Sequence, residues 1–346
     1  MNCYLSRNYK GLANAGNKAK TDIEQIMSDM GFRNVGFRQT IFTNQILAFI
    51  ATLASVLKAP FCLHDSDILV LQYPLKKYFS FVCRLAHLRK AKIIVVIHDL
   101  GSFRRKKLTV AQEIKRLGHA DYIIAHNPTM KSWLEEHGCQ TPIGTLGIFD
   151  YLSSAPVRLP APAETPFRII YAGGLNRRKN TFLYEIGDYI HSYSFHLYGK
   201  GFEVESAKGA EHLHYRGFVP SDQLIANAQG DFGLVWDGTS VHTCSGNFGE
   251  YLRYNNPHKT SLYLRCGLPV IIWRQAALAP FIEAHQVGLC VDSLSELEEK
   301  LQALTPEKYA TLRQNAHRMG QEIAKGHFIK QALKTAEACL NEKRRR

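Results

Sequence analysis

Short apolar runs alternate with longer stretches of helical periodicity along most of the chain. Runs bounded by turn residues predict strands at Ile68–Gln72, Lys92–Ile97, Tyr122–Ala125, Phe167–Tyr171, Ser194–Tyr198, Phe232–Trp236 and Pro269–Trp273. The intervening patterns predict helices at Asn17–Asp29, Leu108–Leu117, Thr129–Glu136, Asn180–His191, Lys259–Arg265, Ser295–Leu304 and Pro306–Ile323. Because strands and helices alternate, we expect βαβ units and parallel sheets.

A proline-rich stretch interrupts this alternation near the middle of the chain. The segment Ser153–Pro166, SSAPVRLPAPAETP, follows neither the helical nor the strand period, and proline removes a backbone donor. We therefore predict an N-terminal α/β domain over residues 1–152, a linker over 153–166 and a C-terminal α/β domain over 167–325. A length of 346 residues suits two such domains.

Composition indicates a globular protein with a large positive charge. The apolar fraction is 45%, which excludes a disordered chain, and the formal net charge is +13. Such an excess favours anionic partners, namely nucleic acid, phosphorylated ligands or a membrane surface. The cations are dispersed and no nucleic-acid-binding module is present, so we expect no nucleic-acid partner.

Cysteine spacing and hydropathy favour a reduced, cytoplasmic protein. The eight cysteines form no CxxC pair and several lie in apolar runs, which predicts core thiols rather than disulfides or a zinc site. Met1–Lys10 lacks the apolar region of a signal peptide. The most apolar window, Ile46–Leu57, is shorter than the ~20 residues that span a bilayer, and we expect a buried or amphipathic helix there.

Glycines and cations follow several predicted strands, at the edge where parallel sheets bind ligands. Gly173-Gly174, with Arg177 and Lys179 nearby, follow one strand, and Gly199-Lys200 follow another. Glycine lets a ligand approach the backbone and cations attract phosphate, although at any single strand end a simple chain turn is the plainer interpretation. A GxGxxG motif is missing, which weakens the alternative of a nicotinamide dehydrogenase.

The segment Asn255–Leu264, NNPHKTSLYL, predicts an anion-binding helix N-terminus. Pro257 suits a first helical turn, and the four residues from His258 to Ser261 would expose N–H groups, an ammonium group and hydroxyls there. An ordinary capped helix is the alternative.

Two other motifs are weaker. Gly11–Lys20, GLANAGNKAK, predicts a polar loop before a helix, which either reaches a ligand or is a plain loop, and it is not a P-loop. Asp65-Ser66-Asp67 has the DxD form that metal-dependent sugar transferases use. It precedes a strand instead of following one, so we expect a turn and no metal site.

The motifs together resemble a known family. The runs VIHDL, AHNPTM, GIFDYL, IIYAGGL, FGLVWDG, TCSGNFGEYLRYNNPHKTSLYL and LPVIIW are similar to those of bacterial β-1,6-galactofuranosyltransferases of O-antigen assembly. They also resemble the streptococcal glucosyltransferase that adds glucose to GlcNAc on serine-rich adhesins. The resemblance implies an α/β GT-B fold with two Rossmann-like parallel-sheet domains facing across a cleft. It also implies that a final helix, at about 326–346, packs back on the first domain.

The resemblance further implies a UDP-sugar donor, held mainly by the second domain without an essential metal. Arg177 and Lys259 would neutralise its diphosphate, and Tyr198, Gly199, Lys200 and Phe218 lie where uracil would dock. The remaining implied donor contacts are Asn14, Gly16, Asn17, Gly173, Gly174, Lys179, Asn256, His258, Thr260 and Ser261. Asp99, beside His98, would be the catalytic base of an inverting reaction; alternatively, both residues only orient the donor sugar.

The implied reaction moves a hexose, galactofuranose or glucose, to a glycan acceptor that is either lipid-linked or a glycoprotein. The implied location is the cytoplasm, with self-association as in the adhesin-modifying relatives. The basic tail Asn341–Arg346 would hold the protein peripherally at the inner face of the plasma membrane, or is simply solvated. A non-catalytic partner protein that binds sugar nucleotides is the alternative function.

Overall fold

The computed structural model describes residues 1–9, 15–75, 78–103, 107–157 and 166–345, without the side chains of residues 15 and 343–345. The chain divides into two compact units. Unit 1 comprises Met1–Asp150 and Gly326–Arg346, and unit 2 comprises Tyr151–Lys325. Most of the predicted linker, residues 158–165, lies outside the described residues.

The described elements alternate as the sequence pattern predicts. The strands are β1 Asn2–Tyr4, β2 Arg33–Asn34, β3 Ile68–Tyr73, β4 Lys92–Ile97, β5 Tyr122–Ala125, β6 Ile143–Thr145, β7 Phe167–Gly174, β8 Tyr193–Lys200, β9 Leu213–Gly217, β10 Phe232–Val235, β11 Val270–Trp273 and β12 Gly288–Val291. The helices are α1 Ala15–Asp29, α2 Gln45–Lys58, α3 Phe79–Leu88, α4 Val110–Leu117, α5 Pro128–Glu136, α6 Arg177–Asn180, α7 Ser221–Asn227, α8 Gly246–Gly249, α9 His258–Arg265, α10 Ala279–Ala284, α11 Leu297–Gln302, α12 Pro306–Ala324 and α13 His327–Arg345.

Unit 1 is built on a parallel sheet whose described strands follow the order β2-β1-β3-β4-β5-β6. Strands β3 and β4 pair along their whole length, from Ile68 opposite Lys92 to Tyr73 opposite Ile97. Both are buried on their two faces, as continuous apolar runs in a helix-covered parallel sheet should be. His98 therefore stands directly at the carboxyl end of the sheet.

Helix α13 belongs to unit 1 although it ends the chain. The buried carboxylate of Asp150 accepts hydrogen bonds from the N–H groups of Phe328 (3.2 Å) and Ile329 (2.7 Å), which caps the helix N-terminus. Ile329, Leu333 and Ala336 are buried, so one face of the helix joins the core of the unit.

Unit 2 is built on a second parallel sheet, ordered β12-β11-β10-β7-β8-β9 within the part of the chain described. Strands β7 and β8 stay in register from Phe167 opposite Tyr193 to Gly174 opposite Lys200. The glycine-containing ends of the two strands consequently lie side by side. The two sheets confirm the predicted α/β class.

Close packing holds helix α9 against the sheet of unit 2. A Cβ atom on Gly233 of β10 would lie 2.1 Å from Cγ of Tyr263, so only glycine lets this tyrosine ring rest on the strand. The Tyr263 hydroxyl accepts a hydrogen bond from the N–H of Ala172 at 2.8 Å. The same helix binds the start of the unit, because Arg265 donates to the carbonyl groups of Tyr151 (3.1 Å) and Ser153 (3.2 Å).

The structure differs from the sequence prediction at two segments, Asn180–His191 and Ile46–Leu57. The helix expected at Asn180–His191 is instead α6 followed by 3₁₀ turns at Thr181–Tyr184 and Ile186–Tyr189. Phe182, Leu183 and Tyr184 are all buried, and three successive buried residues leave no exposed face for a surface helix. The apolar window Ile46–Leu57 does form a helix, α2, but only Ala48, Ser55 and Val56 of that helix are buried.

Substituting Gly233→Ala should destabilise unit 2. The added methyl group meets the Tyr263 ring, and overpacking of this kind costs about 1–3 kcal/mol. The midpoint of thermal unfolding measures the effect. Gly118→Ala is the control, since its Cβ would lie 3.4 Å from the nearest atom at a negative φ of −61°, and should leave the midpoint unchanged. Equal midpoints for both variants would contradict the packing described.

Candidate functional site

Two lysine side chains share one carboxylate at the carboxyl edge of the unit 2 sheet. The ammonium group of Lys259 lies 2.9 Å from Oδ1 of Asp237, and that of Lys179 lies 3.2 Å from the same atom. Lys259 also donates to the Tyr171 hydroxyl at 2.9 Å, and its ammonium group stands 4.1 Å from the centre of that ring. We call Lys179, Asp237 and Lys259 the lysine–aspartate cluster.

The cluster carries more positive than negative charge. Burial alone opposes ionisation of Asp237, but the two ammonium groups lower the pKa of this carboxyl to about 2. Burial lowers the pKa of Lys259 to about 8, against the attraction of Asp237. At neutral pH two cations therefore face a single anion, and an additional anion would stabilise the cluster.

The backbone beside the cluster leaves room for a ligand. Gly173 has a φ of +149°, and no described atom lies within 4 Å of the place where its Cβ would stand. Gly199 has a φ of +159°, and its Cβ would lie 1.8 Å from the carbonyl oxygen of Gly173, so only glycine allows the two strand ends to approach. Gly174, like Gly173, is exposed.

Helix α9 brings Lys259 to the cluster from its first turn. Pro257 is the N-cap residue, and its side chain makes no capping hydrogen bond. The ring of His258 stacks on Tyr151 with 4.7 Å between centroids. The hydroxyls expected to be exposed here are not, because Thr260 and Ser261 are fully buried as the inward face of the helix.

The residues predicted to contact the nucleotide differ in the hydrogen bonds and ring contacts that they make in unit 2. The guanidinium of Arg177 donates to the carbonyl of Ser206 at 3.0 Å and lies 4.5 Å from the centre of the Tyr184 ring. The ammonium group of Lys200 lies 5.1 Å from the centre of the Phe218 ring, which is 48% exposed. Tyr198 is half-buried where the β8–β9 register shifts, and Asn256 is buried.

In unit 1, His98 ends a chain of buried hydrogen bonds. Its Nε2 lies 2.7 Å from Oε1 of Gln72, whose amide donates to the Tyr9 hydroxyl at 3.3 Å. Tyr9 in turn donates to Oε1 of Glu24 at 2.5 Å. The His98 ring stacks on Phe149 with 5.5 Å between centroids, which fixes its plane. Asp99 follows and is half-buried.

Glu24, the carboxyl group in this chain of hydrogen bonds, has a shifted pKa. Burial raises its pKa to about 7, although hydrogen bonds from Tyr9 and from the Ser6 hydroxyl (2.7 Å) favour the ionised form. Burial likewise raises the pKa of Asp150, whose carboxylate caps the N-terminus of α13, to about 7. Both carboxyl groups titrate near neutral pH.

Comparisons with known proteins identify the family. A profile described as "Glucosyltransferase 3-like, N-terminal domain" matches residues 2–148, and one described as "Glucosyltransferase 3-like, C-terminal domain" matches residues 169–336. The β-1,6-galactofuranosyltransferase WbbI of Escherichia coli (strain K12) is 35% identical over 324 residues, which cover 92% of this chain and 93% of that protein. The chain belongs to this glycosyltransferase family.

A more distant relative agrees with this assignment, and a solved structure shares the fold. Glucosyltransferase 3 of Streptococcus gordonii is 23% identical to the glycosyltransferase described here, over 91% of this chain and 92% of the relative. The structure of Anabaena Alr3699/HepE in complex with UDP superposes with a TM-score of 0.63 at 13% identity, covering 98% of this chain and 100% of that one. The fold of the glycosyltransferase is GT-B, as the resemblance in the sequence implies.

The N-terminal motif of the glycosyltransferase differs from the predicted loop. Asn14 lies outside the described residues, whereas Gly16 and Asn17 already belong to the first turns of α1. The second half of the GLANAGNKAK segment is therefore helical. Lys18 bonds Asp22 one turn later, at 2.5 Å, which stabilises this helical start.

The DxD motif lies in a turn before β3. Oδ1 of Asp67 binds the N-terminal ammonium group at 2.8 Å, and Oδ2 lies 3.3 Å from the Arg33 guanidinium and accepts from the His64 N–H at 2.9 Å. These contacts give Asp67 a structural role. In the described residues, no group of three or more His, Cys, Asp or Glu side chains could hold a metal ion.

Sequence reasoning missed two residues of the glycosyltransferase that the structure brings forward. Asp237 follows β10 in the run GLVWDG, and its position at a strand end was the available signal, but its cationic partners are 58 and 22 positions away along the chain. Glu24 lies within an amphipathic helix, and nothing local shows that Tyr9 and Ser6 enclose it. Both roles depend on contacts that are distant in sequence.

Replacing Glu24→Gln should flatten the pH dependence of stability. Since the folded protein holds the Glu24 proton up to a pKa of about 7, above the ordinary value of 4.5, stability falls as pH rises between those values. From pH 5 to pH 8 the variant should lose less unfolding free energy than the wild type, by roughly 1–3 kcal/mol. Asp150 acts in the same direction in both proteins, so a smaller slope should remain.

Denaturant unfolding at several pH values tests this expectation. Glu135→Gln on α5 is the matched control, because that side chain is 49% exposed and pairs only with Lys131 at 3.8 Å among the contacts described. Parallel pH profiles for wild type and Glu24→Gln would show that Glu24 is ionised in the folded protein throughout this range.

Proposed function

We propose that this glycosyltransferase moves a hexose, galactofuranose or glucose, from a UDP-sugar to a hydroxyl of a glycan acceptor. The product would belong to a cell-surface polysaccharide or a glycoprotein glycan. The lysine–aspartate cluster of unit 2 carries the proposal, because its unbalanced positive charge stands beside an open glycine backbone.

A diphosphate fits the charge and the space of this edge. Two ammonium groups that share one carboxylate leave positive charge for a phosphate anion, and Gly173 and Gly174 offer unobstructed backbone. The N-terminus of α9 adds N–H dipoles of the same sign. Arg177 would bind the diphosphate only after its hydrogen bond to the Ser206 carbonyl breaks. The side chains of Thr260 and Ser261 are buried, so they would contribute by anchoring α9 and not by contacting the phosphate.

The same groups would assist departure of the nucleotide. When the bond from the anomeric carbon to the UDP oxygen breaks, negative charge builds up on the diphosphate. Preorganised cations and N–H groups stabilise that charge more strongly in the transition state than in the bound donor, which accelerates the reaction. We assign this role to Lys259 and Lys179, without a metal ion, and the uracil side to Tyr198, Gly199, Lys200 and Phe218.

The acceptor hydroxyl needs a base, and we assign that role to Asp99 of unit 1 in an inverting reaction. It follows His98 just beyond the end of β4, and a carboxylate within hydrogen-bond reach of the hydroxyl can accept its proton. His98, held by Gln72 and by stacking on Phe149, would orient the sugar. Gly16 and Asn17 of α1 complete the donor-sugar contacts of this proposal.

The names of the relatives support the choice of sugar. One is named for galactofuranose transfer and the other for glucose transfer. HepE, which shares the fold, was solved with UDP, with UDP and glucose, and with UDP-glucose. A UDP-sugar is therefore the donor class we propose.

Lys259→Met should weaken UDP binding at least tenfold. It should also remove the part of the fall in UDP affinity between pH 7 and pH 9 that comes from Lys259. In the wild type the affinity should fall between pH 7 and pH 9, because the ammonium of Lys259, with a pKa of about 8, then loses its proton. The terminal phosphate of UDP does not titrate there, since phosphate monoesters have a second pKa of about 6. Isothermal titration calorimetry at three pH values measures both effects.

Lys208→Met is the control for this experiment, because Lys208 is 65% exposed and pairs with Asp188 at 3.3 Å, away from the cluster. It should bind UDP like the wild type. An unchanged dissociation constant in Lys259→Met would remove the cluster from the donor site and leave the family assignment intact.

Asp99→Asn should lower turnover at least ~100-fold while leaving the affinity for UDP unchanged, since only the acceptor proton depends on this carboxylate. The assay is UDP release from UDP-glucose, UDP-galactose and UDP-galactofuranose with glycan acceptors, with and without EDTA. Asp65→Asn, at a 65% exposed side chain, is the control. Near-wild-type turnover of Asp99→Asn would exclude it as the base, and activity lost to EDTA would exclude a metal-free reaction.

A further inference from the structure

Helix α2 of unit 1 presents an apolar stripe to solvent. Ile46, Ile50, Leu57 and Phe61 recur at helical spacing and are 70%, 54%, 48% and 85% exposed. The opposite side of the helix, at Ala48, Ser55 and Val56, is buried in the unit. An ordinary surface helix carries polar residues on its solvent-exposed face, whereas α2 carries apolar residues on its exposed face as well as on its buried face.

The segment before α2 extends this apolar surface. Phe37, Ile41 and Phe42 are all exposed, and the remaining large members lie on α2 or, for Phe61, in the 3₁₀ turn Ala59–Cys62 that follows it. We call the whole surface the apolar face, which consists of Phe37, Ile41, Phe42, Ile46, Leu47, Phe49, Ile50, Leu57 and Phe61.

Hydrogen bonds hold the two parts of the apolar face together. The N–H of Phe37 donates to the Ser55 hydroxyl of α2 at 3.1 Å. The side-chain oxygen of Asn8 accepts from the Phe42 N–H at 2.7 Å and from the Thr40 hydroxyl at 2.8 Å. The side-chain oxygen of Asn44 caps α2 by accepting from Ile46 and Leu47. The face is therefore a fixed surface of the fold.

Positive charge borders the apolar face without any carboxylate from the same stretch of chain. From Met30 to Leu63 the sequence contains Arg33, Arg38 and Lys58 and no Asp or Glu, and of these three cations Arg33 is paired with Asp67 at 3.3 Å. Lys58 donates to the Gly36 carbonyl at 2.9 Å and its ammonium lies 4.6 Å from the centre of the Phe37 ring. Arg38 is exposed.

We propose that the apolar face docks this protein peripherally on an anionic lipid bilayer. Contiguous exposed apolar surface marks an interaction site, and aromatic and aliphatic side chains beside cations match the boundary between acyl chains and anionic headgroups. Each cation near such a surface adds attraction to anionic lipids.

The helix lies on the bilayer and does not cross it. The window Gln45–Cys62 is the one helix of the described residues with the length and apolar composition for a membrane span. Its α-helical part, α2, has 14 residues and rises roughly 21 Å, short of the ~30 Å hydrocarbon core. Val56 and Ala59 are also fully buried, so leaving the unit would expose core.

Charge argues for lipid over a second copy of the chain. A two-fold contact brings the same surface of both copies together, so Arg38 and Lys58 would face cations across an apolar interface. No carboxylate between residues 30 and 63 could neutralise them. An anionic bilayer supplies the missing negative charge.

The test is co-sedimentation of the full-length chain with vesicles of phosphatidylcholine, with and without phosphatidylglycerol. The wild type should bind the anionic vesicles, and binding should fall in high salt. Ile46→Gln combined with Ile50→Gln should weaken that binding at least tenfold. Ile46→Leu with Ile50→Leu, which keeps the surface apolar, should bind like the wild type.

Both double variants replace exposed side chains and should keep the wild-type thermal midpoint, which serves as the folding control. Wild-type binding by the glutamine variant, or no binding by the wild type, would overturn the proposal. Light scattering supplies the remaining outcome. A dimer that the glutamine variant converts to monomer without lipid would make the apolar face a self-association surface instead.

Discussion

Two lysines that compete for one carboxylate define the carboxyl edge of unit 2. Neither Lys179 nor Lys259 is fully neutralised by Asp237, and burial keeps water from screening the remaining charge. An electrostatic arrangement of this kind is less stable empty than filled. The other features of the edge, including the open backbone of Gly173 and the start of α9, would bind an anion together with this excess positive charge.

The cluster depends in turn on how α9 is packed. Lys259 reaches Asp237 because Tyr263, one turn later on the helix, rests on Gly233 and bonds the backbone of Ala172. Gly233 precedes Asp237 on the same strand and its extension, so one contact fixes both the lysine and its acid. The buried Thr260 and Ser261 complete the inward face of the helix. A small residue in a strand thereby sets the geometry of charged groups several residues away.

The sequence predicted the alternation of strands and helices well because buried parallel strands are almost entirely apolar, as β4 is after Lys92, and because Pro257 marks the start of α9. It failed where burial does not follow a simple period. Phe182, Leu183 and Tyr184 are all internal, and α2 is apolar on both faces, so periodicity could not show which face is covered. The sequence places Asp237 at a strand end and Glu24 in a helix, but it could not assign their roles because their partners come from distant parts of the chain.

The unbalanced charge of the lysine–aspartate cluster has a consequence for the end of the proposed catalytic cycle. In a UDP-sugar the terminal phosphate is esterified to the sugar, whereas in free UDP that oxygen is ionisable and is deprotonated at neutral pH. The product is more anionic than the donor, so the lysine–aspartate cluster would bind it more tightly. An enzyme built in this way is subject to product inhibition, and release of the nucleotide, more than sugar transfer, would then limit its turnover.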